Sequence, residues 1–256
     1  MFRPVVVSIS GGEPLLRRDY PRLLADIRPY CHYLTIITNG ALLNEDSARH
    51  LVESGVNQIC VSLDYLGAQH DQARGVHGLY DHISRTVPAL TRKGYKITIN
   101  AVIMESNLDQ ILSLAHRAKE WGAMVSFSAY CSLKRDNDQG MVGRRRYSQL
   151  VGIVKEIRGL KRTLGNIKNS DYYLDRIPAY FRDGRVPNCR AGYRWLQVTP
   201  DGYIQPCSEL PRLCHYSDFH RRLLKPPVCT KCWYTCRGES EAQPLEPRRL
   251  WELIRS

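Results

Sequence analysis

The chain has 256 residues, 43% of them hydrophobic, and 37 Lys and Arg against 25 Asp and Glu give a formal net charge of +12. That length allows one large domain, or a domain with a small appendage, around a sizeable core. No apolar run approaches the roughly 18 residues of a transmembrane helix, and residues 1–10 run into a core strand without the build of a secretory signal.

Val5–Pro14, Val-Val-Val-Ser-Ile-Ser-Gly-Gly-Glu-Pro, organises the rest. Val5, Val6, Val7 and Ile9 predict a buried strand delivered into a tight turn. Gly11 and Gly12 leave the backbone bare for a ligand, Glu13 sets a carboxylate at the mouth, and Pro14 fixes the exit. A carboxylate beside open carbonyls suits a cation such as an ammonium group; the bland alternative is an ordinary turn with a solvated Glu.

A helix is expected over 19–28, then a strand over 33–38 closed by Asn39-Gly40. Asn44 caps a helix that ends at Gly55, and a strand spans 58–64. Residues 65–78 read as a loop carrying Arg74-Gly75, followed by a helix over 79–93. A strand over 96–102, a helix capped by Asn107 and a strand over 124–130 complete the alternation. The polar stretch 132–146 is long for a connection. Helices then cover 147–164 and 170–181, the second bent or interrupted at Pro178.

Five strands, each followed by a helix, predict a parallel α/β sheet with right-handed crossovers. Chemistry then belongs at the carboxyl ends of the strands. Gly11-Gly12-Glu13-Pro14, Thr38-Asn39-Gly40, Ser62 with Asp64, Asn100, and Ser126 with Ser128 all fall there.

From about residue 188 the periodicity fades. Of nine cysteines, Cys31, Cys60 and Cys131 sit singly beside apolar strands and read as core. Cys189, Cys207, Cys214, Cys229, Cys232 and Cys236 crowd together, which points to metal. Residues 198–207 read as a hairpin turning at Pro200-Asp201-Gly202. Thiolates at these spacings hold zinc or an iron–sulfur cluster. The basic clusters at Arg144-Arg145-Arg146, Lys161-Arg162 and Arg221-Arg222 carry no interleaved aromatics, so they read as solvated surface and make a nucleic-acid groove unlikely.

Together these residues resemble the radical S-adenosylmethionine enzymes. Gly11-Gly12-Glu13-Pro14 is similar to the motif that receives the methionyl amino group. Ser62, Asp64 and Arg74 match positions around the methionyl carboxylate and ribose, and Asn100 a position near the ribose. The C-terminal stretch resembles the SPASM and Twitch extensions. Cys189, Gly202 and Cys207 fit the first half of that signature, and Cys229, Cys232 and Cys236 form a shortened second half. The resemblance implies one auxiliary 4Fe-4S cluster held by Cys189, Cys207, Cys229 and Cys232, with Cys236 or Cys214 as a possible replacement. It also implies a partial (β/α)6 TIM-like barrel over residues 1–187 and a small cysteine-rich domain over 188–256.

The family's C-x3-C-x2-C triplet has no counterpart here, so the expectation is a barrel lacking its first βα unit, with a natural frame that extends upstream. The radical SAM 4Fe-4S cluster would then exist only in a full-length form, and the chain as given would not cleave S-adenosylmethionine. Strand 5–10 would be left as an uncovered edge. The implied function is reductive cleavage of S-adenosylmethionine to a 5′-deoxyadenosyl radical that abstracts hydrogen from a small-molecule or peptide substrate. An electron donor such as flavodoxin or ferredoxin and a cytoplasmic location go with it. The rival class is a zinc-stabilised, non-enzymatic protein that binds nucleic acid or a partner.

Overall fold

The computed structural model describes residues 4–134, 136–220, 223–225 and 227–242; Arg221-Arg222 and the last fourteen residues of the tail lie outside these. The chain divides into two compact units. The first takes in the chain up to Val102, with Asp109–Phe127 and Leu160–Lys168. The second takes in Ile103–Leu108, Ser128–Gly159 and the chain from Asn169 on.

A parallel sheet runs in chain order through β1 (Val6–Ile9), β2 (Tyr33–Thr38), β3 (Gln58–Ser62), β4 (Ile97–Ile103) and β5 (Met124–Ala129). The crossovers carry α1 (Tyr20–Ile27), α2 (Glu45–Glu53), α3 (Ala68–Arg74) with α4 (Leu79–Arg92), and α5 (Ile111–Glu120). After α6 (Tyr147–Leu164), Ile167 bridges Val125 in parallel. The result is the curled half-barrel expected of strict β–α alternation.

The register shows why the sheet curls around a polar interior. Ile36 pairs with Ile59, Ile59 with Ile97 and Val61 with Ile99, so these residues share one face and are fully buried. Helices cover that face: the side chains of Val61 and of Ile83 in α4 both press on Gly40. Gly40, at φ +89°, closes β2 in a conformation that β-carbons resist and in a space with no room for one. The alternate residues Thr35, Gln58, Cys60, Ser62, Thr98 and Asn100 share the inner face.

Asn44 starts α2 as expected: its Oδ1 accepts from the Ser47 amide at 2.9 Å, and Ser47 Oγ accepts from the Asn44 amide at 2.9 Å. Other expectations need correction. β1 stands at the sheet edge as expected, and Val5 and Val6, read as a buried strand, are 68% and 55% exposed there. Residues 68–74, read as loop, form α3 because the glycines on either side start and stop a helical turn. Asn107 does not cap α5; fully buried, it accepts from the Met104 amide at 2.8 Å within a 3-10 turn, and α5 begins after Gln110.

In the second unit α7 (Asp171–Leu174) and α8 (Ile177–Asp183) replace one bent helix, with Ser170 capping the first and Pro178 in the first turn of the second. The hairpin of β6 (Gln197–Val198) and β7 (Tyr203–Gln205) gains a third strand, β8 (Cys214–His215). α9 (Thr235–Glu241) follows Cys229 and Cys232 and contains Cys236. The core of this unit is a clasp. Tyr173 and Trp233 stack at 5.5 Å; Trp233 Nε1 donates to the Tyr173 carbonyl at 3.0 Å, and Tyr173 Oη donates to the Trp233 carbonyl at 3.0 Å. Gly238 packs so closely on the Tyr173 ring that a β-carbon would lie 2.2 Å from it.

Asn44→Ala removes the α2 cap, and the expected loss is about 1 kcal/mol, read from urea unfolding with an unchanged m-value.

Candidate active site at the strand ends

Glu13 is fixed by the neighbouring strand. Its Oε1 accepts from Thr38 Oγ1 at 2.7 Å and from the Leu15 amide at 3.2 Å; its Oε2 accepts from the Asn39 amide at 2.7 Å. An ionised carboxylate offers about four acceptor sites, so one remains, on Oε2. Gly11 holds φ +141°, and nothing lies within 4 Å of where a β-carbon of Gly11 or Gly12 would stand. Pro14 opens a 3-10 turn that turns the chain away from this spot. The loop is thus an oriented carboxylate beside bare backbone, which fits an ammonium group.

At the end of β3, Asp64 ties three elements together. Its Oδ1 accepts from the Val102 amide at 2.9 Å, and its Oδ2 pairs with Arg74 Nη2 at 2.5 Å. Asp64 and Arg74 therefore meet each other, the carboxylate 9% and the guanidinium 29% exposed. Ser62 is half-buried next to them and pairs in register with Asn100, whose side chain bonds Cys60. β1 to β4 are three strand spacings apart, about 14 Å, so the rim from Glu13 to Asn100 matches the span of an extended nucleoside–amino acid conjugate.

His70 was not visible as a site residue, because its segment read as loop. Fully buried, its Nδ1 accepts from the Asp64 amide at 3.4 Å, while Nε2 has no partner among the described residues. Burial, then the adjacent Arg74, lowers its pKa to about 4. The ring is neutral at pH 7 and adds no charge beside the Asp64–Arg74 pair.

The second unit holds the clustered cysteines as free thiols. Burial pushes the Cys207 thiol up, and the nearby Cys189 and Cys229 push it further. Burial likewise raises Cys189, with Cys229 adding to it. Cys236, on the surface, is raised by desolvation and then by Cys207 and Cys189. Cys207 thus lies near Cys189 and Cys229, and Cys236 near Cys207 and Cys189. Cys232 does not join them: it is buried and raised to about 12 by burial, with Arg237 opposing and Cys131 adding. Among the described residues no three Cys, His, Asp or Glu side chains form a closed metal cage. Arg237, 1% exposed, is a staple: it donates to the carbonyls of Cys232 at 2.7 Å, Val186 at 2.8 Å and Pro187 at 3.0 Å, and pairs with Glu241 at 2.9 Å.

The depressed His70 pKa has a sign. The unfolded imidazole takes up a proton near pH 6.5 and the folded one only near 4, so stability is full above pH 6.5 and falls as pH drops toward 4. The expected loss is up to about 3 kcal/mol; denaturant curves between pH 7 and 4 should flatten in His70→Asn.

The chain is 28% identical over 209 residues to the PqqA peptide cyclase of Xanthomonas campestris pv. campestris, covering 77% of this chain and 53% of that protein. The corresponding protein of Granulibacter bethesdensis is 26% identical over 210 residues, covering 78% and 54%. The chain spans about half the length of these curated relatives. The crystal structure of Streptococcus suis SuiB bound to S-adenosylmethionine superposes with a TM-score of 0.62 at 22% identity, covering 79% of this chain and 49% of that one. Native anSMEcpe with bound AdoMet superposes with a TM-score of 0.66 at 16% identity, covering 99% and 81%. Residues 2–118 match the model of the Radical SAM superfamily.

Proposed function

We propose that the chain serves in a radical S-adenosylmethionine enzyme that modifies a peptide. The observation that carries this is the Glu13 carboxylate, fixed by Thr38 and Asn39 with one acceptor site open beside Gly11 and Gly12. Bound there, S-adenosylmethionine would supply hydrogen-abstraction chemistry once cleaved by an electron from a reduced 4Fe-4S cluster, whose C-x3-C-x2-C triplet is not in this sequence. Glu13 receives its ammonium group; Ser62 and Asn100 offer hydrogen bonds along the rim; the Asp64–Arg74 pair holds β3, β4 and α3 in place and presents the partly exposed guanidinium. The peptide substrate is supported by similarity to a PqqA peptide cyclase and by a SuiB structure that holds its precursor peptide SuiA. A small one-electron carrier such as flavodoxin or ferredoxin completes the reaction. Nine free cysteines suit a reducing cytoplasm.

The cysteines of 188–256 form an auxiliary 4Fe-4S site of the SPASM/Twitch kind. Thiols suit iron–sulfur ligation, and we take Cys189, Cys207, Cys229 and Cys236 as the set, because Cys232 is buried with its Sγ 4.0 Å from Arg237 Nη1 whereas Cys236 is exposed. Cys236 then stands in place of Cys232 as the fourth ligand. The zinc-stabilised, non-enzymatic alternative is not favoured, given the match to the Radical SAM superfamily.

Two measurements test this. Glu13→Gln should weaken S-adenosylmethionine binding about tenfold, the effect of losing a charge-assisted hydrogen bond, in a calorimetric titration; unchanged affinity defeats the site. After anaerobic reconstitution, iron and sulfide should fall more in Cys236→Ser than in Cys232→Ser. Equal iron in Cys236→Ser and the parent would exclude Cys236, and zinc without sulfide would exclude the cluster.

A further inference from the structure

One cation on the inner face of the first unit has no counter-ion. Lys168 follows the Val125–Ile167 bridge, and its Nζ donates to Gln58 Oε1 at 2.8 Å. The Tyr33 hydroxyl donates to the same oxygen at 3.2 Å, and Gln58 Nε2 donates to Thr98 Oγ1. Gln58 is buried, so these three contacts fix its amide with the oxygen toward Lys168. The titratable groups facing the ammonium are Cys60 and Lys96; among the described residues no carboxylate pairs with it. An ammonium has three donors. One is spent on Gln58; the residue is exposed, but its ammonium end is partly buried, which lowers its pKa, and lies 6.0 Å from the centroid of the Tyr33 ring.

The choice of an amide at position 58 matters. A carboxylate there would neutralise Lys168, whereas the amide holds the ammonium in place and leaves its charge available. A single ammonium among neutral hydroxyls and an amide suits a monoanion; phosphate sites gather several cations or a helix N-terminus.

We propose that Lys168 is an anchor on the inner face of the half-barrel for a carboxylate of the substrate. The proposal rests on the reading that a peptide enters this barrel. It makes the inner face a ruler. Gln58 is the first residue of β3 and Ser62 the last, four residues and about 13 Å apart. A carboxylate held at Lys168 therefore sets which part of the substrate reaches the rim where Glu13 and Ser62 stand.

The test uses the intact chain and two small probes, N-acetylglutamate N′-methylamide and its glutamine counterpart. Reductive methylation of each lysine is followed by mass spectrometry. The glutamate compound, at about 10 mM for a site of millimolar affinity, should slow labelling of Lys168 about threefold, the scale of an exposed ion pair. The glutamine compound should not slow it, and neither should protect other lysines. Lys168→Met should weaken binding of the glutamate compound by a similar factor in ligand-observed NMR. Gln58→Glu should abolish protection with the circular dichroism unchanged. Equal slowing by both compounds, no slowing, or unaltered binding to Lys168→Met overturns the proposal. Calorimetry with S-adenosylmethionine on the same samples separates the two readings. Protection without cofactor binding keeps the anchor and defeats the enzyme; cofactor binding without protection defeats the anchor alone.

Discussion

The structure depends on a two-faced parallel sheet. Parallel strands usually bury both faces and read as continuous apolar runs. Here both faces are largely buried but only one is apolar: Ile36, Ile59, Val61, Ile97 and Ile99 pack beneath helices, while the mostly polar Thr35, Gln58, Cys60, Ser62, Thr98 and Asn100 turn the other way. The period of two along each strand, multiplied by a parallel register, lines up the polar positions into rows. A barrel interior made this way is furnished with hydrogen-bonding groups before any ligand arrives, and its carboxyl ends deliver Glu13, Ser62 and Asp64 to one rim.

Rigidity at that rim comes from side chains that bind backbone amides of neighbouring elements. Glu13 reaches across to Asn39, Asp64 reaches Val102, and the Asp64 amide itself reaches His70. A carboxylate held by backbone amides keeps one orientation. His70 accepts from the Asp64 amide and stays neutral. A charged imidazole beside Arg74 would put two cations in a buried corner, and the orphaned Nε2 is the smaller penalty.

Much of this was legible in the residues themselves. The strand bounds 33–38 came from β-branched density, the α2 start from Asn44, and the rim from the polar residues that end each apolar run. Failures have distinct causes. Asn107 and Asn44 are the same residue type, and only burial separates a side chain that serves an internal turn from one that caps a helix. α3 was hidden because Gln69, His70 and Asp71 carry no apolar periodicity; its one buried residue is His70. Val5 and Val6 look like core by composition, but they are exposed because β1 stands at the sheet edge, which the missing triplet, and not the apolar run, made legible. The cysteine spacing gave four candidate ligands and a reserve. Which thiols face one another depends on how α9 and the loops before it are placed, and adjacent Trp233 and Arg237 draw Cys232 inward.

The Tyr173–Trp233 clasp joins residues 60 positions apart, and each ring is satisfied by the other's main chain. Closing so long a loop carries an entropic cost that nothing offsets until Trp233 is in hand. On the ribosome, the second unit must therefore wait for nearly the whole of its chain to emerge, while the helices and strands of the first can already have condensed. Premature termination before residue 233 would leave Tyr173 with no ring to stack on, a product for quality-control proteases and not a smaller functional protein.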